Sequence, residues 1–260
     1  MRFRPCIDIH NGKVKQIVGG SLMDVGNQAK ENFISDKDGG YYAGLYKDHG
    51  LKGGHIILLN PAGSEYYEED VRQAELALKA YPGGLQIGGG INAENASKFL
   101  KMGAAHVIVT SYVFKDGRIQ YENLEALKEA VGKEHLVLDL SCRKKDGRYY
   151  VVTDRWQKFT DVVLDLEVLD ELSEYCDEFL IHAVDVEGKA SGIEQELVKL
   201  LGTWNRIPIT YAGGVRSEED LVLLKELGKG QIDVTIGSAL DLFGGTMKFE
   251  NVLSYCDSSI

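Results

Sequence analysis

A chain of 260 residues, 44% of them hydrophobic, can bury a large core and has the length of one (β/α)8 barrel or of two ordinary domains. Its formal charge of −11 argues against a general nucleic-acid binder, yet leaves phosphate ligands open, because backbone amides bind phosphate on an acidic protein. The apolar runs are strand-length, far below the roughly 18 residues that suggest a membrane span, and with no apolar stretch or cleavage signature before the first strand no targeting peptide is expected. The cysteines at 6, 142, 176 and 256 form no C-x-x-C pair. The expectation is therefore a cytoplasmic protein with reduced thiols.

In chain order, eight short β-branched runs end in Gly, Ser, Asp or a like residue: PCIDIH, HIILL, LQIGGGI, HVIVTS, LVLDLS, EFLIHAVD, ITYAGGV and DVTIGSA. Helical patterns fall between most of them, at Glu68–Lys79, Ala93–Met102, Leu124–Val131, Leu166–Tyr175, Gln195–Leu201 and Glu218–Leu227. Residues 19–40 are polar and Gly-rich and read as a long loop, followed by a weak helix near Tyr41–Lys47. Alternating strands and helices imply a parallel sheet. Eight units in this length favour a single closed α/β (β/α)8 TIM barrel, spanning 1–260, over an open sheet.

A longer pattern lies over this one. Asp8 and Asp139, Gly90 and Gly214, and Ser111 and Ser238 are each separated by about half the chain, far more than the ~20–50 residues of a solenoid repeat. Three matches in one order suggest two half-barrels related by a pseudo-twofold axis.

A Gly-Gly pair closing a strand lets backbone approach a ligand, since no Cβ intervenes. A helix beginning there would add free amides and a favourable dipole. Consecutive barrel strands are neighbours at the C-terminal face, where the active site lies. Gly89, Gly90 and Ser111 thus form one phosphate cup, and Gly213, Gly214, Gly237 and Ser238 another. A ligand spanning both carries a phosphate at each end. Asp8 and Asp139 stand at strand C-termini among apolar residues, where desolvation raises a carboxyl pKa towards the general-acid range. One protonated and one ionised, they make an acid–base pair; the bland alternative is a structural salt bridge to a lysine such as Lys13. Glu187, with Asp185 as competitor, is a candidate for holding a sugar hydroxyl or a nitrogen. Trp156, on a long loop after Asp139, is a candidate for covering a planar ring, or else anchors the rim. His55, His106, His135 and His182 show no metal-ligand spacing and read as packing residues; no metal or other cofactor is expected.

The ordered segments CIDIHNGKVKQ, LQIGGGI, VIVTS, LDLSCRKKDGRYYVVTDRWQ, DVEGKASGI, YAGGV and IGSAL resemble the histidine-biosynthesis isomerases that act on the bis-phosphorylated ribonucleotide ProFAR, in their plant and fungal form. The resemblance runs from Arg4 to Gly245. It implies an Amadori rearrangement, aldose to ketose, with Asp8 as general base, Asp139 as general acid, Trp156 stacking on substrate, and neither metal nor nucleotide cofactor. The implied partner is a small bis-phosphorylated substrate, with no nucleic acid, no membrane and a monomeric enzyme. The chain departs from the bacterial pattern in three places: Ile-Ile-Leu-Leu after His55 lacks the usual acid, Asn92 replaces an arginine, and Glu187 stands where Asp is usual. Two rivals remain at this level, the cyclase of the same pathway and a non-catalytic sugar-phosphate-binding barrel.

Overall fold

The computed structural model describes residues 1–17, 31–154, 156–189 and 191–256. Eight parallel strands form its centre: β1 (Cys6–His10), β4 (Gly54–Leu58), β5 (Leu85–Gly88), β6 (His106–Val109), β9 (Leu136–Asp139), β13 (Glu178–His182), β14 (Ile209–Ala212) and β15 (Ile232–Thr235). They pair in sequence order, β1 to β4 through to β14 to β15. The ring closes where Phe3 bridges Val234 in parallel and Arg4 N–H donates to the Val234 carbonyl at 2.8 Å. The result is the expected (β/α)8 barrel.

Helices α1 (Gly39–Asp48), α2 (Tyr67–Ala80), α3 (Ala96–Lys101), α4 (Tyr121–Val131), α5 (Leu166–Leu172), α6 (Gln195–Leu201), α7 (Glu218–Leu227) and α8 (Phe249–Tyr255) lie between or after the strands. Their sequences explain them. In α2, Val71, Ala74, Ala77 and Leu78 are buried on one stripe, Glu68, Glu69 and Asp70 occupy the first turn, and Lys79 the last, which complements the helix dipole. The weakly patterned α1 forms because Asp38 caps Tyr41 N–H at 2.9 Å. Its Gly39 packs so closely on α2 that a Cβ would lie 2.6 Å from the Gln73 carbonyl. Helix α3 starts later than the apolar pattern suggests because Asn92 turns the preceding residues, accepting from the Glu94 and Asn95 amides.

The remaining strands are antiparallel additions. Strands β2 (Lys13–Ile17) and β3 (Glu31–Ile34) extend β1. Between them, residues 18–30, most of the expected long loop, lie outside the described residues. Strands β7 (Phe114–Lys115) and β8 (Arg118–Ile119) make a small hairpin. Strands β10 (Cys142–Lys145), β11 (Arg148–Thr153) and β12 (Lys158–Val163) make a three-stranded sheet. This sheet replaces the expected loop after Asp139.

Alternate residues of the ring strands face inwards, as the two-residue period of a strand requires. The floor is polar: Arg4, Gln86, Glu178, Thr210 and Asp233 are buried and mutually bonded. Ile57, Ile108, Val137 and Leu180 form an apolar layer above. Two residues further along their strands, Thr110, Asp139 and His182 line a cavity at the C-terminal mouth.

Candidate active site

That cavity measures about 650 Å³ and is lined by all eleven residues singled out from the sequence. Asp139 ends β9 as expected, whereas Asp8 is the middle residue of β1 and not its end; the two strands lie four places apart in a ring of eight, hence on opposite walls. Gly89 and Gly90 follow β5 with Ser111 after β6; Gly213 and Gly214 follow β14 with Gly237 and Ser238 after β15. These two groups also stand opposite each other.

The glycine pairs match in conformation as well as position. Their φ angles are +106° and +68° in the first, +120° and +76° in the second, a region costly for residues bearing a Cβ. A Cβ on Gly89 would lie 2.2 Å from the Leu58 carbonyl, and one on Gly213 2.9 Å from that of Ala183. No helix begins at either pair, contrary to the geometry in which a helix end faces the anion: α3 starts at Ala96 and α7 at Glu218. The cups are loops. In the first, Asn95 braces the Gly90 carbonyl at 2.9 Å. In the second, Gly192 N–H donates to the Gly214 carbonyl at 2.9 Å.

The two aspartates have unlike surroundings. Among the described residues Asp8 accepts one hydrogen bond, from Gln16 Nε2 at 3.2 Å; its partner there is Gln16 and not Lys13. Burial, and then the nearby Glu187 carboxylate, push its pKa up to about 7, against the opposing pull of His182 and Gln16. Asp139 Oδ1 accepts from the Ser141 amide at 2.8 Å and the Ser141 hydroxyl at 2.6 Å, and Oδ2 from Thr110 at 3.2 Å. Burial pushes Asp139 up as well, but His182 and Ser141 outweigh it and hold the carboxyl below its ordinary value. Desolvation was expected to act on both; it wins only where hydrogen bonds are few.

His182 and His55 correct the reading of the histidines as packing residues. Both line the cavity. His182 Nδ1 lies 3.7 Å from Asp139 Oδ1 and 3.2 Å from Ser141 Oγ. Burial lowers its pKa, while Asp139, then Glu187 and Asp8, raise it to a net value above normal. His55, whose ring is 6.1 Å from that of His182, is driven down to about 3 by burial and by His182. His106 and His135 lie elsewhere, beside Asp177 and the Val131 carbonyl. A single histidine in an apolar strand carries no spacing signal, and sequence alone gives no reason to select His182.

Glu187 and Asp185 separate cleanly. Asp185 is held by Arg143 Nε and the Lys144 amide, each at 2.9 Å, and fastens the three-stranded sheet to the barrel. Glu187 lines the cavity; its Oε2 is buried with no hydrogen-bond partner among the described residues, and burial raises its pKa. Trp156 is carried between β11 and β12, at a positive φ of 68°, with its ring 5.4 Å from that of His182.

A closed barrel with paired glycine turns and facing aspartates at its C-terminal mouth defines a (β/α)8 protein of half-barrel design. Residues 2–247 match the family described as histidine biosynthesis protein, and the chain belongs to that family. The chain is 55% identical over 260 residues, 98% of this chain and 81% of the relative, to a chloroplastic protein of Medicago truncatula. That relative is named as a 1-(5-phosphoribosyl)-5-((5-phosphoribosylamino)methylideneamino)imidazole-4-carboxamide isomerase. Proteins named for the same activity are 48% identical in Yarrowia lipolytica, covering 98% of this chain and 97% of the relative, and 46% identical in Saccharomyces cerevisiae, covering 96% of each. Among the described residues no helix is long and apolar enough to cross a membrane.

Proposed function

We propose that the chain is an isomerase of histidine biosynthesis that converts ProFAR, the bis-phosphorylated ribotide named in its relatives, from aldose to ketose. The observation that carries this is geometric: two aspartates on opposite walls of one cavity, lying between two matched glycine cups. A substrate with a phosphate at each end spans the cups, and its ribose rests between the carboxyls. Asp139 then protonates the ribose ring oxygen, the ring opens to a Schiff base, and Asp8 takes the C2′ proton; the enol collapses to the ketone. Proton transfers alone carry the reaction. Gly89, Gly90 and Ser111 hold one phosphate, and Gly213, Gly214, Gly237 and Ser238 the other. Glu187 offers its unpaired oxygen to a substrate donor, since a buried acceptor without a partner is costly until one arrives. Trp156 covers the bound ring. One chain contributes every group named, so a monomer suffices.

Turnover of ProFAR by the purified protein, followed by absorbance, tests the reading; a lyase product would favour the cyclase, and binding without turnover a non-catalytic barrel. Asp8→Asn and Asp139→Asn should each lower kcat by roughly 10²–10⁴-fold while substrate binding survives. The same variants test the roles, because the resting charges, Asp8 titrating near neutrality and Asp139 ionised, also suit the reverse assignment. Bound substrate stays cyclic in whichever variant lacks the acid. Near wild-type kcat in either would remove that residue from proton transfer.

A further inference from the structure

If Asp139 is the acid, it must hold a proton that its own surroundings discourage. Ser141 is fully buried and its hydroxyl sits between two groups: it donates to Asp139 Oδ1 at 2.6 Å and lies 3.2 Å from His182 Nδ1. A hydroxyl has one proton to give and lone pairs to accept with, so donating to the carboxylate leaves it free to accept from the imidazole. The direct separation of His182 Nδ1 and Asp139 Oδ1, 3.7 Å, is too long for a good hydrogen bond. The hydrogen-bonded route between imidazole and carboxylate runs through Ser141. His182 is fixed by rings on two sides, Trp156 at 5.4 Å and His55 at 6.1 Å.

We infer that His182 and Ser141 are positioning residues that load Asp139 with its proton, through the chain His182 Nδ1–H to Ser141 Oγ to Asp139 Oδ1. The inference rests on the isomerase reading with Asp139 as acid. In the loading step His182 gives its Nδ1 proton to Ser141 Oγ as Ser141 gives its own to Asp139; imidazolium and carboxylate become imidazole and carboxylic acid, with one proton still in the group. Asp139 then passes that proton to the ribose ring oxygen. Over a turnover the substrate gains protons on the ring oxygen and C1′ and loses them from C2′ and the 2′-hydroxyl, so the site ends with the protons it began with. The groups facing His182 are Asp139, Glu187, Asp8 and His55. Among them the first three favour its cationic form and His55, held neutral, does not compete for the proton.

The chain has two separate readouts. In the ligand-free protein, the His182 resonance, assigned by its absence in His182→Gln, should titrate above normal in the wild type. It should fall by about 0.5–1 unit in Ser141→Ala, the loss of one hydrogen bond, and further in Asp139→Asn. With ProFAR, Ser141→Ala should lower kcat at least tenfold with KM within about twofold, and move the alkaline limb of the kcat profile to lower pH; Ser141→Thr should restore both. His182→Gln should move the same limb further. An unchanged His182 titration in Ser141→Ala, or a lowered kcat with an unmoved alkaline limb, would overturn the chain and leave Ser141 structural. Absence of wild-type turnover would instead sink the isomerase reading, while the titration still judges the hydrogen-bond chain.

Discussion

At the scale of single residues, catalytic placement and stability pull against each other at Asp8. Its folded-state pKa of about 7 lies well above that of an unfolded aspartate. Between the two values the native state binds more protons than the unfolded state, so stability falls as pH rises through that window. Asp8→Asn removes the cost. In the ligand-free enzyme it should raise Tm at pH 8 by several degrees, corresponding to roughly 1–3 kcal/mol after allowing for the solvent that reaches the cavity, and the gain should shrink to nothing near pH 4. Thermal melts at the two pH values check this; equal shifts at both would mean Asp8 is not strained. Trp156 shows a second conflict, a large side chain at positive φ whose ring lies 5.4 Å from that of His182. Trp156→Ala should raise KM and lower kcat together, and steady-state kinetics unchanged within error would make it a rim residue. The cavity positions of Asp8, Asp139 and Glu187 were legible because a carboxylate within or just beyond an apolar strand is costly to bury in a core. Ser141 and His182 were not, since their meaning lies in a contact across 41 positions of sequence.

At the scale of elements, the strands that sequence pattern missed were nevertheless marked. Asn11-Gly12 joins β1 to β2, Asp116-Gly117 joins β7 to β8, and Asp146-Gly147 joins β10 to β11; all six residues have φ between 50° and 77°. That is the two-residue turn signature of a tight hairpin. It was masked because Cys142–Lys145 places three basic residues in a row and shows no apolar alternation, so that the run Tyr149–Val152 in the next strand stood without a recognisable partner in a hydrophobicity pattern. The paired glycine turns were legible for a firmer reason, because two Gly-Gly pairs close strands in equivalent places of the two halves. Their second residues differ, however. A Cβ on Gly90 meets nothing within 4 Å, whereas one on Gly214 would sit 2.1 Å from the Gly192 carbonyl. Gly90→Ala should therefore cost only the left-handed backbone penalty, about 1–2 kcal/mol, and Gly214→Ala distinctly more, with displacement of the Gly192 segment. Denaturant melts rank the two, and titration with inorganic phosphate should show the larger affinity loss in Gly214→Ala. Equal penalties would mean the second cup is as open as the first.

At the scale of the whole molecule, the half-chain repeat read from three residue pairs reappears as matching glycine angles, opposed aspartates, and antiparallel strands added after the first strand of each half. What no repeat announced is the polar barrel floor, because its members are scattered along the chain and each is unremarkable alone. Arg4 is its single buried cation among the described residues of that layer: Nε lies 2.9 Å from Asp233 Oδ2 and a terminal nitrogen 3.4 Å from Glu178 Oε2. Asp233 is also bonded by Arg2, whereas among the described residues Glu178 has otherwise only the hydrogen bonds from Gln86 and Thr210. Burial already raises the Glu178 pKa, and Arg4 is the largest influence opposing it. Breaking a buried ion pair from one side strands a charge and costs about 3–5 kcal/mol, so Arg4→Met should lower Tm by roughly 10 °C in a protein of this size. The sign with pH follows: without Arg4 the Glu178 pKa rises further, the native state gains protons relative to the unfolded one, and the deficit should be larger at pH 8 than at pH 4. Adding Glu178→Gln to Arg4→Met should recover much of the loss. Because the apolar layer of Ile57, Ile108, Val137 and Leu180 separates floor from cavity, kcat measured well below the melt should stay within about twofold of wild type. A pH-independent deficit, or a large fall in kcat at low temperature, would mean the floor is not an insulated electrostatic layer and that its charges reach the site.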